Sequence, residues 1–193
     1  GLAREIGYRF AIGLALDGLG QVAYALGSYK EARGFFSESG SLFREMGDTH
    51  RLSRTLNHQG LNFLSLNNTE SAKKSFHAAL RMAYEGGWMP AALYALLGLT
   101  ALGIQQKTSQ EKLELVLCVL QHPASAQETK DLAARLQVEL EARLPKEEIE
   151  AGHIGQILTM HARRNLAKWI TVSHLQKLSA LFGDGVHDLG DGD

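Results

Sequence analysis

The groups best suited to chemistry in this 193-residue chain are eight histidines, one cysteine and a run of aspartates near its end. Their spacing argues against using them for it. No His-Glu-x-x-His occurs, and no Cys/His pair has the separation of a zinc site. His153, His161 and His174 share a region with Asp184 and Asp188, and read as solvated surface groups. Asp184, Asp188, Asp191 and Asp193 lack the closing glutamate and ordered turn of a calcium loop. Nothing resembles the Gly-x-Ser-x-Gly elbow of a serine hydrolase, and no carboxylate pair is spaced for acid–base work. Gly18-x-Gly20-x-x-Ala23 matches a dinucleotide fingerprint in letters alone. That motif follows a strand and opens a helix, so that free amides meet the pyrophosphate, whereas here it sits inside a helical pattern. Cys118 lies in the apolar run Leu115-Val116-Leu117-Cys118-Val119-Leu120 and reads as a buried structural thiol. No catalytic residue, metal site or cofactor is expected, and the reading is of a protein that is not an enzyme.

A single cysteine excludes an internal disulfide framework and fits a reducing compartment. Net charge is −1 and the pI about 6.8, which leaves no electrostatic footprint for nucleic acid or an anionic membrane. Arg163, Arg164 and Lys168 beside Trp169 read as a solvated basic face, and Trp88 and Trp169 as packing residues at unit ends. No secretory signal and no run of about 18 apolar residues is present. A cytoplasmic location is expected, so Asn67-Asn68-Thr69 reads as a turn rather than a glycosylation acceptor.

What positions these groups is a row of helices with an internal period. Gly20 and Gly60, Ala32 and Ala72, and Phe36 and Phe76 share one sequence offset, and Arg4-Glu5-Ile6-Gly7 recurs at that same offset as Arg44-Glu45-Met46-Gly47. A fixed period of this size marks a repeat array. Apolar residues fall at three- and four-residue steps, the helical period. The first helix is expected to pack through Ile12, Leu16, Leu19, Ala23 and Leu26, ending at Gly27. Ser28 with Glu31 has the form of a capping box, opening a helix through Ala32, Phe36, Ser39 and Phe43. Asp48 caps a third, with Leu52, Leu56, Gly60, Phe63 and Leu66. After Asn67-Asn68 a fourth carries Ala72, Phe76, Ala79, Leu80 and Ala83 up to Gly86-Gly87. The recurrent small residues let antiparallel helices approach closely.

A third, looser unit follows. Gly98 comes after Gly60 at a slightly shorter interval, Lys112 replaces the small residue, and Thr108 with Glu111 repeats the capping pattern. Leu113, Leu115, Val116, Val119 and Leu120 continue the core. Beyond Pro123, Ser125 with Glu128 opens a helix whose Leu132, Leu136, Val138 and Leu140 face the array. Pro145 with Glu147 and Glu148 starts a short final one. Gly1 to Gly7 reads as the end of a second helix, as if the array were cut at its N-terminus.

Leu16-x-x-Leu19-Gly20-x-x-Ala23, then Gly27-x-Tyr29-x-x-Ala32-x-x-x-Phe36, resembles the tetratricopeptide pattern. So do Leu56-x-x-x-Gly60-x-x-Phe63 and Ala72-x-x-x-Phe76-x-x-Ala79, though these units are longer than the length usual in that family. The junctions Arg4 to Gly7 and Arg44 to Asp48, with Leu120-Gln121-His122-Pro123-Ala124-Ser125, are similar to the C-terminal arrays of large bacterial STAND signalling ATPases, the LuxR-type and maltose-activator-like regulators. The resemblance implies an all-α, right-handed solenoid of antiparallel helix pairs over residues 1–151. It implies a sensor or scaffold for a protein or peptide in signal transduction or transcription regulation. No Walker motif occurs, so an ATPase module lies outside this chain. Residues 152–193 form a C-terminal helical extension with an acidic Gly/Asp tail. It includes His161 to Ile170 and a second stretch capped by Ser173 and Gln176 and carrying Leu175, Leu178, Leu181 and Phe182.

In such an array the first helix of each pair lines the concave groove. The resemblance places Leu14, Asp17, Gln21 and Tyr24 there in the first unit, and Arg54, Asn57, His58, Leu61 and Ser65 in the second. Asn57 stands where family members bond a ligand backbone. Asp17 departs from this, since an ionised carboxylate only accepts, and with Arg54 as the sole groove cation a carboxylate clamp is not formed. The partner is a protein or peptide, the chain's own C-terminal segment, or other domains of the parent protein; neither membrane nor nucleic acid is expected. The alternatives are a structural spacer or oligomerisation module, and an enzyme with its site in the segment 152–193.

Overall fold

A computed structural model of the chain describes residues 2–103, 109–147 and 149. Seven helices, and no strand, occur among the described residues: α1 (Leu2–Ala25), α2 (Tyr29–Glu45), α3 (Thr49–Ser65), α4 (Thr69–Glu85), α5 (Met89–Leu102), α6 (Ser109–Gln121) and α7 (Gln127–Glu141). The fold is all-α. It divides into two compact units, residues 1–98 and 99–193, with the break inside α5.

In the first unit the helices end at Ala25, Glu45, Ser65 and Glu85, a spacing half the period visible in the sequence. Gly27, Asn67 and Gly87 have φ of 77°, 57° and 71°, and Gly47 has 69°. Each closes a helix with the same pair of bonds. At the first turn, Gly27 N–H donates to the Tyr24 carbonyl at 3.0 Å and Ser28 N–H to the Ala23 carbonyl at 2.9 Å. The equivalent bonds at the fourth turn run from Gly87 to Tyr84 and from Trp88 to Ala83. This is the Schellman closure, which needs a left-handed residue and so selects Gly, or Asn at position 67. Two positions further on, the next helix begins. Asp48 and Asn68 cap α3 and α4, their side chains accepting from Arg51 and Ser71 N–H at 3.0 Å each. The capping box expected at Ser28 is not formed, for Ser28 makes no side-chain cap bond.

The junction expected at Arg4 to Gly7 does not exist, because α1 runs straight through it. The sequence explains why. Tyr8 follows Gly7 where the capping Asp48 follows Gly47, so nothing competes with helix propagation.

Packing within the first unit is glycine against aromatic ring. A Cβ on Gly20 would lie 2.5 Å from the Phe36 ring, one on Gly60 2.6 Å from Phe76, and one on Gly13 3.0 Å from Phe43. The pairs 13–43 and 20–36 run in opposite directions, so α1 and α2 are antiparallel. Phe76 also lies against Gly98, where a Cβ would clash outright. The expected core of α2 (Ala32, Phe36, Ser39, Phe43) and of α4 (Ala72, Phe76, Ala79, Leu80, Ala83) is buried throughout. In α3, Leu52, Leu56 and Gly60 are buried, and Phe63 and Leu66 half-buried.

The stripe expected on α1 is corrected. Ile12, Leu19 and Leu26 are exposed, the last at 76%. The buried positions are Gly13, Asp17, Gly20 and Ala23, with Leu16 half-buried. The rings of Phe36 and Phe43 need room, and the two glycines, two helical turns apart on one face, supply it. Ile12, Leu19 and Leu26 are turned off that face, while Phe10 packs edge-on against Phe43.

In the second unit α6 and α7 pack together. Leu113, Val116, Leu117 and Val119 of α6, and Leu132, Ala133, Leu136 and Leu140 of α7, are buried. Leu115 and Leu120 are half-buried, and so is Cys118. Val138, expected in the core, is 70% exposed. The Ser125 cap is also corrected. Ser125 Oγ donates to the Val119 carbonyl at 2.6 Å, tying the α6–α7 turn, while extended Ala126 precedes α7 without a side-chain cap. Residues 146–147 are helical after Pro145, as expected. The Thr108–Glu111 cap and residues 152–193, with all their histidines, aspartates and basic residues, lie outside the described residues.

Candidate functional site

The nine residues assigned to a concave groove separate into two groups. Asp17, Asn57 and His58 are buried. Leu14, Gln21 and Arg54 are exposed, and Tyr24, Leu61 and Ser65 half-buried.

The buried three staple helix to helix. Asp17 Oδ1 of α1 accepts from Thr55 Oγ1 of α3 at 3.0 Å and lies 3.1 Å from His58 Nδ1. Its Oδ2 accepts from Gln21 Nε2, one turn on, at 2.9 Å. Burial pushes the Asp17 carboxyl upward. The bond and charge of His58, with the bonds from Thr55 and Gln21, outweigh it and hold the group below the ordinary 3.8. At the equivalent position of the second hairpin, Asn57 Nδ2 of α3 donates to the Ala91 carbonyl of α5 at 2.9 Å. The amide expected to meet a ligand backbone thus meets the backbone of the chain itself. The register shared by Asp17 and Asn57 belongs to a device that joins each hairpin to the next. Asn62 adds a bond in the reverse direction, Nδ2 donating to the Tyr29 carbonyl at 3.0 Å.

Aromatic contacts reinforce these joints. His58 lies between Phe36 (centroids 5.6 Å apart) and Tyr94 (6.3 Å). The Arg51 guanidinium sits 4.6 Å over the Phe10 ring. Among the groove residues that reach solvent, Ser65 Oγ donates to Tyr24 Oη at 3.3 Å. The accessible part of the proposed face is therefore Leu14, Gln21 and Arg54, bordered by Tyr24, Leu61 and Ser65.

A second feature was not found from sequence. An open cleft of about 660 Å³ is lined by Arg33, Gly34, Ser37, Gly40, Ser41 and Arg44 of α2, by Gln59 and Phe63 of α3, and by Asn68 and Ser71 at the start of α4. The signal was present. Positions 33, 37, 40, 41 and 44 form one stripe of α2, beside the core stripe 32, 36, 39 and 43, and carry only small or basic residues. Small side chains make the floor, and the arginines stand at its two ends.

Among the described residues no three His, Cys, Asp or Glu side chains converge on a metal position. Gly18 and Gly20 of the nominal dinucleotide motif lie well inside α1, where amides are committed to the helix. No helix among the described residues is long and apolar enough to cross a membrane. Comparison with protein-family models, curated proteins and solved structures finds no match to this chain.

Proposed function

We propose that this chain is a non-catalytic, tetratricopeptide-like array that holds a protein or peptide partner, as a sensor or scaffold module of a bacterial signalling or transcription regulator. The observation that supports this reading is the glycine–phenylalanine lock, Gly20 on Phe36 and Gly60 on Phe76, made twice in one register. A polar joint to the next helix is also made twice, by Asp17 and by Asn57. Hairpins joined in this way suit a solenoid, in which neighbouring units share interfaces through which a bound partner couples them. The partner face is the solvent-reaching part of α1 and α3: Leu14, Gln21, Tyr24, Arg54, Leu61 and Ser65. Capture of partners from a bacterial lysate should fall for Leu14→Ala and Arg54→Ala, with helicity unchanged. Capture unaffected by both would remove this face from consideration.

One observation favours the alternative of an oligomerisation or spacer module. Tyr8, Ile12, Leu19, Val22 and Leu26 expose an apolar stripe on α1. With exposed Ala15 its steps are four, three, four, three and four, the seam of a coiled coil. The stripe's symmetry about residue 17 suits an antiparallel pairing of two copies. Light scattering on the purified chain should then give a dimer that Leu19→Glu converts to monomer. A monomer at all concentrations rejects this alternative.

A further inference from the structure

We propose that the α2–α4 cleft is a binding site for an extended, carboxylate-bearing peptide, distinct from the α1/α3 face. Three observations carry it. Arg33 and Arg44 line the cleft, and neither makes an ion pair among the described residues. The cleft lining contains no carboxylate, so the two guanidinium charges have no counter-ion in that lining. The start of α4 borders the same space with Asn68 and Ser71, its own end already met by the Asn68 cap on the Ser71 N–H and by Glu70 in the first turn. Between the arginines the lining joins Gly34, Gly40 and Phe63 to the polar Ser37, Ser41, Gln59 and Ser71; Ser41 Oγ donates to the Ser37 carbonyl, and the other hydroxyls and the Gln59 amide are groups that satisfy a peptide backbone.

Spacing selects the ligand. Arg33 and Arg44 stand three turns apart on one face of α2, which is about 16 Å at ~1.5 Å of rise per residue. A small dicarboxylate would need both arginine side chains to fold in from the two ends of the cleft. An extended peptide advances ~3.3 Å per residue and returns to the same face at every second one. Two glutamates four residues apart therefore stand about 13 Å apart on one side, and the long side chains cover the remainder. Arginine can then take each carboxylate through two parallel bonds. Nucleic acid is disfavoured, because its affinity comes from many phosphate contacts, and this chain offers two cations here and a net charge of −1.

The test is fluorescence anisotropy on the whole chain. The probe is a labelled glycine–serine peptide carrying two glutamates four residues apart, with the glutamine version as control. The glutamate peptide should bind at low salt and weaken as salt rises, at least tenfold tighter than the glutamine peptide. Arg33→Gln and Arg44→Gln should each weaken it several-fold and the double variant at least tenfold, while thermal unfolding followed by circular dichroism stays put. Arg54→Gln, on the α1/α3 face, should leave it unchanged. Equal binding of both peptides, no binding of either, or an undiminished double variant overturns the proposal. So does loss of binding in Arg54→Gln alone, which returns the ligand to the α1/α3 face. Tighter binding of a DNA oligonucleotide that the same arginine variants abolish overturns it in favour of nucleic acid.

Discussion

The first two hairpins share a packing lock and differ in the polar joint that each makes to the helix beyond it. In α1–α2, Gly20 receives Phe36; in α3–α4, Gly60 receives Phe76. Each first helix then reaches forward from the same register. The first does so with a carboxylate, Asp17, which gathers Thr55, His58 and Gln21. The second does so with an amide, Asn57, which meets one carbonyl at Ala91. A neutral joint satisfies a fixed acceptor without charge. A charged joint collects several donors, and in doing so becomes dependent on pH. The packing lock and the polar joint are thus separable, and substitutions can test each.

The largest effect should come from the lock that is closed on both sides. Phe76 is fully buried between Gly60 and Gly98, so its truncation leaves a cavity walled by two backbones that cannot fill it. Phe76→Ala should cost about 3–5 kcal/mol in urea unfolding. Phe36 is equally buried, but with glycine on one side and the His58 ring near it, and a cavity bordered by a side chain relaxes more than one walled by two backbones. Phe36→Ala should cost less than Phe76→Ala; the reverse order would break the comparison.

Next comes the charged joint. Asp17→Ala leaves Thr55 and His58 without their shared acceptor and should cost about 3 kcal/mol. Asp17→Asn, which keeps an acceptor, should cost about half as much. Because the folded Asp17 carboxyl titrates below the ordinary 3.8, the unfolded chain binds its proton first as pH falls. Its contribution is complete above that value and is lost as pH drops through the folded one. His77 is held below 6.5 by burial and then by Lys73, and His122 by burial alone. The same sign applies: stability is full above 6.5 and declines below it. Acid unfolding should therefore begin below pH 6.5 and steepen below 3.8, and Asp17→Asn should remove only the second step. Asn57→Ala should leave both steps unchanged.

Smaller still is the insertion of one methyl group into the lock. In a helix, Gly→Ala ordinarily gains about 1 kcal/mol. At Gly20 and Gly60 the new Cβ falls 2.5 and 2.6 Å from a buried ring, and overpacking of this kind costs about 1–3 kcal/mol. Gly20→Ala and Gly60→Ala should both destabilise on balance, while Gly34→Ala, with nothing within 4 Å of its Cβ, should stabilise. A gain at Gly20 would show that Phe36 is free to move.

These contrasts also show what the residues disclosed by themselves. The repeat offset, the helices and the α2 and α4 cores were legible because apolar side chains there fall on one face at helical spacing. The face of α1 was not, since its packing positions are Gly13, Asp17 and Gly20, none of which registers as hydrophobic, while Leu19 and Leu26 do. Asp17 and Asn57 were visible as a repeated position, but a polar residue on a helix reads alike whether it faces a groove or a neighbouring carbonyl. The cleft between Arg33 and Arg44 escaped because small residues on a helix flank carry no pattern until a second helix comes beside them. The shorter spacing of the turns was masked by its own chemistry: three turns use glycine and the fourth asparagine.

The smallest effect concerns those turns, and it separates two serine-or-aspartate positions that look alike in sequence. Asp48 and Ser28 hold the same place, immediately after a left-handed glycine and before a helix. Asp48 accepts the Arg51 N–H at 3.0 Å and pairs with the Arg51 side chain at 3.4 Å. Ser28 makes no cap bond, and the residue stands exposed. Asp48→Ala should then cost about 1 kcal/mol, and Ser28→Ala should be neutral within the error of a urea melt. Ser28→Asp should supply the missing acceptor and a charge suited to the helix start, raising stability by about 0.5–1 kcal/mol. If Ser28→Ala costs as much as Asp48→Ala, the hydroxyl caps α2 in solution and the two turns are equivalent. If Ser28→Asp gives nothing, the backbone at this position turns the side chain away from the amides, and the turn within the first hairpin differs in geometry from the turn that follows it.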